Sequence, residues 1–394
     1  MVTRDPSRQT SWLLLLPLFL WGVLLARPAK ALDQNVAASA QLDYHLVGSW
    51  IGPDRSSYPK GAFDAFTLEA SLKVAVDVSE HLSANVKFCY GCHGFEADMV
   101  YFDMRAFDEL NVRVGRFSPS FGSFNLRHDP GNHKLSDKPL PYDMGRMLRN
   151  AAWNNGVLPS PFPDNGVEVN GSHWFGESVQ LDYAAYAVSG FKQNNPDAMD
   201  LNFGASRSPY YVDNNSRPAL GARIALTGKL SAVSEVTIGA SGMGGTYDPN
   251  GNHTYYIGGA DLTARIDRTS IRLEYLVRRQ ELDTTNPTFY KYPFADDIRS
   301  FFVKHGAFAE VEVPLSRGLD IVGRVDGLYR VGNVSATSEL SSKSSVLRET
   351  LGLAFAIERN FRLKVSAETW QFNDPDVAGR RSDLSFHLGA VGTF

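Results

Sequence analysis

The pattern that most limits this chain is a period of two. Sixteen runs of about ten residues alternate apolar and polar side chains, and turn residues separate them. They fall at 37–49, 65–79, 83–90, 96–106, 110–117, 164–173, 178–188, 217–227, 233–243, 255–266, 269–280, 299–313, 319–330, 346–358, 361–373 and 382–394. In the last run Leu384, Phe386, Leu388 and Ala390 share one face, and Asp383, Ser385 and His387 share the other. In 269–280, Ile271, Leu273, Tyr275 and Val277 oppose Arg272, Glu274 and Arg278. A strand that is apolar on one side and polar on the other belongs to a soluble sandwich or to a membrane barrel wall.

The connections choose between these. Every second one is short, as at Glu80 to Leu82, Asp267-Arg268 and Arg359-Asn360. Those between are mostly long and rich in Pro, Asn, Asp and Gly: 50–64, 118–163, 189–216, 281–298 and 331–345. Alternating short turns and long loops belong to an outer-membrane barrel. The fold class expected is therefore all-β, a transmembrane antiparallel β-barrel of about 16 strands with both termini in the periplasm. The chain ends on Phe394 after alternating apolar residues, which resembles the C-terminal strand signal that the barrel assembly machinery reads. Nothing indicates a second domain.

Residues 1–31 read as a signal peptide. Arg4 and Arg8 precede an apolar run from Trp12 to Leu25, and Ala29-Lys30-Ala31 fits a small-x-small cleavage site. The barrel is expected over 32–394, in the bacterial outer membrane and in contact with its lipid. The apolar run is too short for a confident spanning helix, and no later segment is long and apolar enough for one. The net charge of −4 gives no nucleic-acid footprint.

Both cysteines of the 394 residues lie in Phe88-Cys89-Tyr90-Gly91-Cys92-His93-Gly94. This is C-x-x-C-H, the spacing of c-type haem attachment. Two thiols three positions apart can each form a thioether to one porphyrin edge, and His93 then lies where its imidazole can bind the iron as proximal ligand. The other reading is a Cys89–Cys92 disulfide stapling a hairpin in an oxidising compartment. Alternation in 83–90 puts Cys89 on the polar face with Asn85 and Lys87, pointing into the barrel near its mouth. A sixth ligand could come from the long loop, where His128, His133, Met144 and Met147 are the candidates. One haem is much shorter than the roughly 30 Å hydrocarbon core. Electron transfer across the membrane would thus need periplasmic or extracellular c-type cytochromes as partners. The alternative function is a plain diffusion porin for small solutes. No Ser/His/Asp constellation and no H-E-x-x-H spacing suggests an enzyme.

Leu110-Asn111-Val112-Arg113-Val114-Gly115-Arg116-Phe117-Ser118-Pro119-Ser120-Phe121-Gly122 resembles the strand-plus-loop motif of the phosphate-selective porin superfamily. Asp164-Asn165-Gly166-Val167-Glu168-Val169-Asn170-Gly171 resembles the strand after the constriction loop in those proteins. The resemblance implies sixteen strands and a third loop, here 118–163, folded into the barrel. A phosphate pathway is not implied, because Arg127, Lys134, Lys138, Arg146 and Arg149 are mixed with Asp129, Asp137 and Asp143 in that loop. The arrangement also looks like porin–cytochrome conduits, in which a barrel sheathes haem groups.

Overall fold

A computed structural model describes residues 34–48, 66–91, 94–143, 156–158, 160, 162–192, 213–281, 301–332, 343–373 and 382–394. The segment 1–31, Cys92, His93, Met144 and Met147 lie outside the described residues, as do Arg146 and Arg149.

The strands are β1 (Gln34–Gly48), β2 (Phe66–Ser79), β3 (Leu82–Gly91), β4 (Gly94–Phe107), β5 (Leu110–Phe117), β6 (Asp164–Phe175), β7 (Val179–Val188) and β8 (Ala219–Ser231). They continue as β9 (Ser234–Thr246), β10 (Thr254–Ile266), β11 (Thr269–Glu281), β12 (Phe301–Ser316), β13 (Leu319–Gly332), β14 (Lys343–Glu358), β15 (Phe361–Phe372) and β16 (Ser382–Thr393). Each pairs antiparallel with its neighbours in sequence, and β1 pairs with β16, so the sheet closes and leaves no edge. Each of the sixteen runs found in the sequence is a strand, with boundaries displaced by four residues or fewer.

The wall faces outward as the alternation requires. Leu273, Tyr275, Leu351, Val365 and Leu388 are among the large apolar side chains exposed on the outside. Lys87, Glu168, Glu274, Arg324, Arg348, Lys364, Glu368 and His387 are buried inside. Polar groups inward and apolar groups outward are the reverse of a soluble sandwich and suit a lipid-embedded barrel. Tight turns close one end. At Asp267-Arg268 the aspartate adopts φ 55°, a left-handed conformation that Asp tolerates better than most residues.

The interior is filled by the segment between β5 and β6. Its described residues carry three short 3-10 turns, Asn125–Arg127, Pro130–Asn132 and Leu140–Tyr142. Phe121, Phe124, Leu140, Tyr142, Val157, Leu158 and Phe162 of this segment form one buried apolar cluster with Phe117, Leu276, Phe308 and Leu328 of the wall. Loops normally run over a surface because a buried one must find partners for its backbone polar groups. Here the charged inner wall supplies those partners.

Candidate functional site

The inner wall holds the loop at successive strands. On β6, Glu168 accepts the Ser120 amide at 2.8 Å and its hydroxyl at 3.0 Å. On β11, Glu274 accepts the Ser123 amide at 3.0 Å, the Ser123 hydroxyl at 2.9 Å and the Phe124 amide at 3.3 Å. It also accepts the Tyr142 hydroxyl. Gly122 sits between these contacts with φ 64°, and a Cβ there would collide with the Tyr142 hydroxyl and the Glu274 carboxylate. Only glycine meets both requirements.

The tightest clamp is on β13 and β14. Asp137 of the loop accepts from Arg324 Nη2 at 2.6 Å and from Arg348 Nη1. Arg348 also donates to Asp326 Oδ2 at 2.5 Å and lies 3.4 Å from Glu368. All five side chains are buried. Nearby on β15, Lys364 donates to Gln41 Oε1 at 2.8 Å and to two loop carbonyls, Pro130 at 2.8 Å and Leu135 at 3.1 Å. Lys134 lies 3.3 Å from Glu312 and 3.2 Å from Asp320, and Lys138 lies 3.2 Å from Glu69. The described cations of the loop's middle part are thus paired with wall carboxylates.

The cysteine side is built differently. Cys89 lies on the inner face of β3, two residues from Lys87. A bulge opposite it falls on β4, where Lys87 pairs with Met99 and Phe88 with Ala97. Asp98 is the extra residue, and both it and Met99 are buried on the inside. The bulge therefore leaves the parity of β3 intact. It also brings a carboxylate to the thiol: Cys89 Sγ donates to Asp98 Oδ2 at 3.4 Å. Lys87 Nζ lies 3.3 Å from the same carboxylate and 2.7 Å from Asp129 of the loop. Beside this cluster, toward the turned end of the barrel, is a cavity of about 330 Å³ lined by Lys73, Asn85, Tyr101, Arg113, Phe117, Leu126, Asp129, Glu168 and others.

Cys89 is the one cysteine among the described residues. Its thiol faces the interior, is half-buried and donates to Asp98, the carboxylate that Lys87 also contacts. Gly91 and Gly94 pair across the hairpin, with Cys92 and His93 between them. Of the sixth-ligand candidates, His128 accepts from Lys87 Nζ on Nε2 at 2.7 Å and donates from Nδ1 to the Asn125 carbonyl at 2.7 Å. Both ring nitrogens are engaged. Burial, reinforced by the Lys87 ammonium, lowers its pKa and keeps it neutral. His133 donates from Nδ1 to the Leu135 carbonyl at 2.8 Å, while its Nε2 is buried with no hydrogen-bond partner. Burial holds its pKa well below the usual range. His133 belongs to the stretch that packs against β15 and β1, and His128 to the stretch against β3, so the structure does not bring them together.

One polar cluster was invisible in the sequence. His387 on β16 lies 3.0 Å from Asp43 through Nδ1 and 3.3 Å from Glu368 through Nε2. Ser385 donates its hydroxyl to Glu368 at 2.8 Å and accepts the Trp370 indole N–H at 2.9 Å. The hydroxyl is bonded to a carboxylate rather than to the imidazole, so no base is placed to activate it as a nucleophile. The cluster joins β1, β15 and β16 at the barrel seam, from positions that only closure makes adjacent. Among the described residues no group of three or more His, Cys, Asp and Glu side chains could hold a metal ion.

No protein-family model and no curated protein matches the chain. Solved structures do. The outer-membrane channel DcaP of Acinetobacter baumannii superposes with a TM-score of 0.53 at 13% identity, over 92% of this chain and 98% of that one. An anion-selective porin from Comamonas acidovorans gives 0.51 at 11%, over 92% and 100%. OmpF of Salmonella typhi in complex with daunomycin gives 0.53 at 8%, over 92% and 97%. The likeness is one of fold. Together with the outward apolar wall and the closed antiparallel sheet, it makes this chain a sixteen-stranded β-barrel of the porin-like, bacterial outer-membrane kind.

Proposed function

We propose that this porin-like barrel carries one covalent c-type haem on Cys89, Cys92 and His93, and takes part in electron transfer across the outer membrane with partner c-type cytochromes. The observation that carries the reading is the placement of Cys89. It stands on the inner wall, half-buried, at the outer end of a hairpin in which only Cys92 and His93 separate two paired strands. A bound haem would supply one-electron redox chemistry. The chain's part is to hold it and shield it. Cys89 and Cys92 would fix its edge, and His93 would bind the iron. Lys87, Asp98 and Asp129 form a charged floor that ties the loop to the hairpin beneath it.

The filled interior supports a sheath over an open channel. The described part of loop 118–163 packs an apolar cluster across the barrel and pairs with wall charges from β2 to β15. The resemblance to phosphate-selective porins carries no phosphate reading, because Lys134 and Lys138 of the loop are paired with carboxylates.

Haem staining of a denaturing gel, with a pyridine haemochrome spectrum, tests this on protein made in a host that matures c-type cytochromes. The expected result is a haem that survives denaturation and is lost in Cys89→Ala and in Cys92→Ala, with heat-modifiable barrel migration retained. Absence of covalent haem, with Cys89 and Cys92 found as a disulfide and solute conductance in planar bilayers, would replace the proposal by a plain diffusion porin.

A further inference from the structure

The cavity of about 330 Å³ beside Lys87 is used neither by the clamp on β13 and β14 nor by the cysteine hairpin. It lies between the inner faces of β2 to β6 and the loop, and its size suits a small molecule. Three of its lining groups gain nothing from the fold. Lys73 on β2 stands directly opposite Lys87 across the β2–β3 pair. Asp98 and Asp129 neutralise Lys87, but no carboxylate among the described residues pairs with Lys73. Like charges directly opposite each other repel, so an anion at Lys73 is stabilised. Ser118, at the end of β5, is 6% exposed, and its hydroxyl is buried with no hydrogen-bond partner. Leu126 of the first 3-10 turn is 49% exposed, yet it faces this cavity rather than lipid.

The remaining lining discriminates among ligands. Tyr101 and Phe117 pack edge to face with centroids 6.4 Å apart, and the Arg113 guanidinium lies 4.8 Å from the Tyr101 ring centre. Asp103 at 2.8 Å and Glu168 at 3.4 Å hold Arg113 in that place. A planar ring can pack along such a stack. A cationic ligand would meet Lys73, Lys87 and Arg113. Inorganic phosphate would find one unpaired cation and would face Asp129 and Glu168 as well.

We infer that this cavity binds a small aromatic monocarboxylate that carries a second polar group on its ring. The carboxylate supplies Lys73 with its counter-charge. The ring covers Leu126 and packs by Tyr101, and the ring's polar group accepts from the Ser118 hydroxyl, which is otherwise a buried donor without a partner. None of these contacts involves Cys89, Cys92 or His93, so the inference is independent of the haem proposal.

Isothermal titration calorimetry of the full chain in detergent, with para-hydroxybenzoate as the probe, tests this. Saturable binding is expected. Lys73→Met should weaken it by roughly tenfold or more, and Lys73→Arg should weaken it less. Para-hydroxybenzyl alcohol, which lacks the carboxylate, and inorganic phosphate should each bind at least roughly tenfold more weakly than the probe. Ser118→Ala should remove the preference for para-hydroxybenzoate over benzoate. Heat-modifiable migration would show that each variant still folds. No saturable binding of the probe, binding indifferent to Lys73→Met, or phosphate bound as tightly as the probe would each overturn the inference.

Discussion

Two of the places where the wall holds the loop do so by different means. Against β13–β15 it is clamped by a dry, fully enclosed set of charges: Asp137, Asp326 and Glu368 facing Arg324 and Arg348. Against β3 it is held by Lys87, which lies between buried Asp98 and Asp129, whose side chain is 32% exposed. A cavity borders this second clamp and none of the first five side chains lines it. The difference is one of dielectric. A charge stripped of its partner in the dry clamp has nothing to turn to, whereas Asp129 at the β3 side can be reached by water. The first clamp fixes the loop. The second leaves Asp129, near Cys89, open to water.

Breaking the dry clamp gives the largest expected effect. Asp137→Ala leaves two buried guanidiniums short of a partner and should cost about 3–5 kcal/mol, read as a lowered denaturant midpoint. If the loop is what closes the interior, the same variant should raise single-channel conductance. A midpoint unchanged from wild type would mean that the clamp is no tighter than the β3 side.

Lys87→Met should cost less, roughly 1–3 kcal/mol, because Asp129 can rehydrate while Asp98 is left buried. Adding Asp98→Asn should recover part of the loss. A loss equal to that of Asp137→Ala would erase the distinction between the clamps.

The pH dependence separates the sides further. His128 is held neutral by burial and by Lys87, so its folded pKa is below the unfolded value. The unfolded chain therefore binds the proton first, and stability falls as pH drops below about 6.5, with a slope approaching 1.4 kcal/mol per pH unit. His128→Gln should remove that part of the slope in denaturation midpoints measured from pH 7.5 to 5. An identical slope in the variant would show that His128 is already free to protonate.

Lys73→Ala should be close to neutral, within about 0.5 kcal/mol. Lys73 lines the cavity opposite Lys87 across the β2–β3 pair, and it is exposed. A clear stabilisation would show that repulsion between the two lysines loads the β3 side.

How much of this could be read in advance follows from the range of each interaction. Strand parity is local, so Glu274, Arg324 and Lys364 could be placed on the inner face from the residues on either side of them. The same parity put Cys89 inside, and the β4 bulge at Asp98 altered its neighbours without altering its direction. The partner of each inward charge is not local. Asp137 and Arg348 are 211 residues apart, Lys364 and Gln41 are 323 apart, and Asp43 and His387 are 344 apart. Nothing in a period of two indicates that these meet.

The sequence alone determined the strand count, the inward and outward faces, the long third loop and the C-x-x-C-H spacing. Each depends on residues within one hairpin, where the pleat and the turn chemistry act directly. Closure of the sheet decided the rest. It set the shear that brings β1 against β16, the charges that draw a long loop into the interior, and the engagement of both His128 nitrogens. It also gathered Lys73, Arg113 and Ser118 around one cavity. These are consequences of which strands lie opposite one another around the barrel, and that is fixed only when all sixteen have paired.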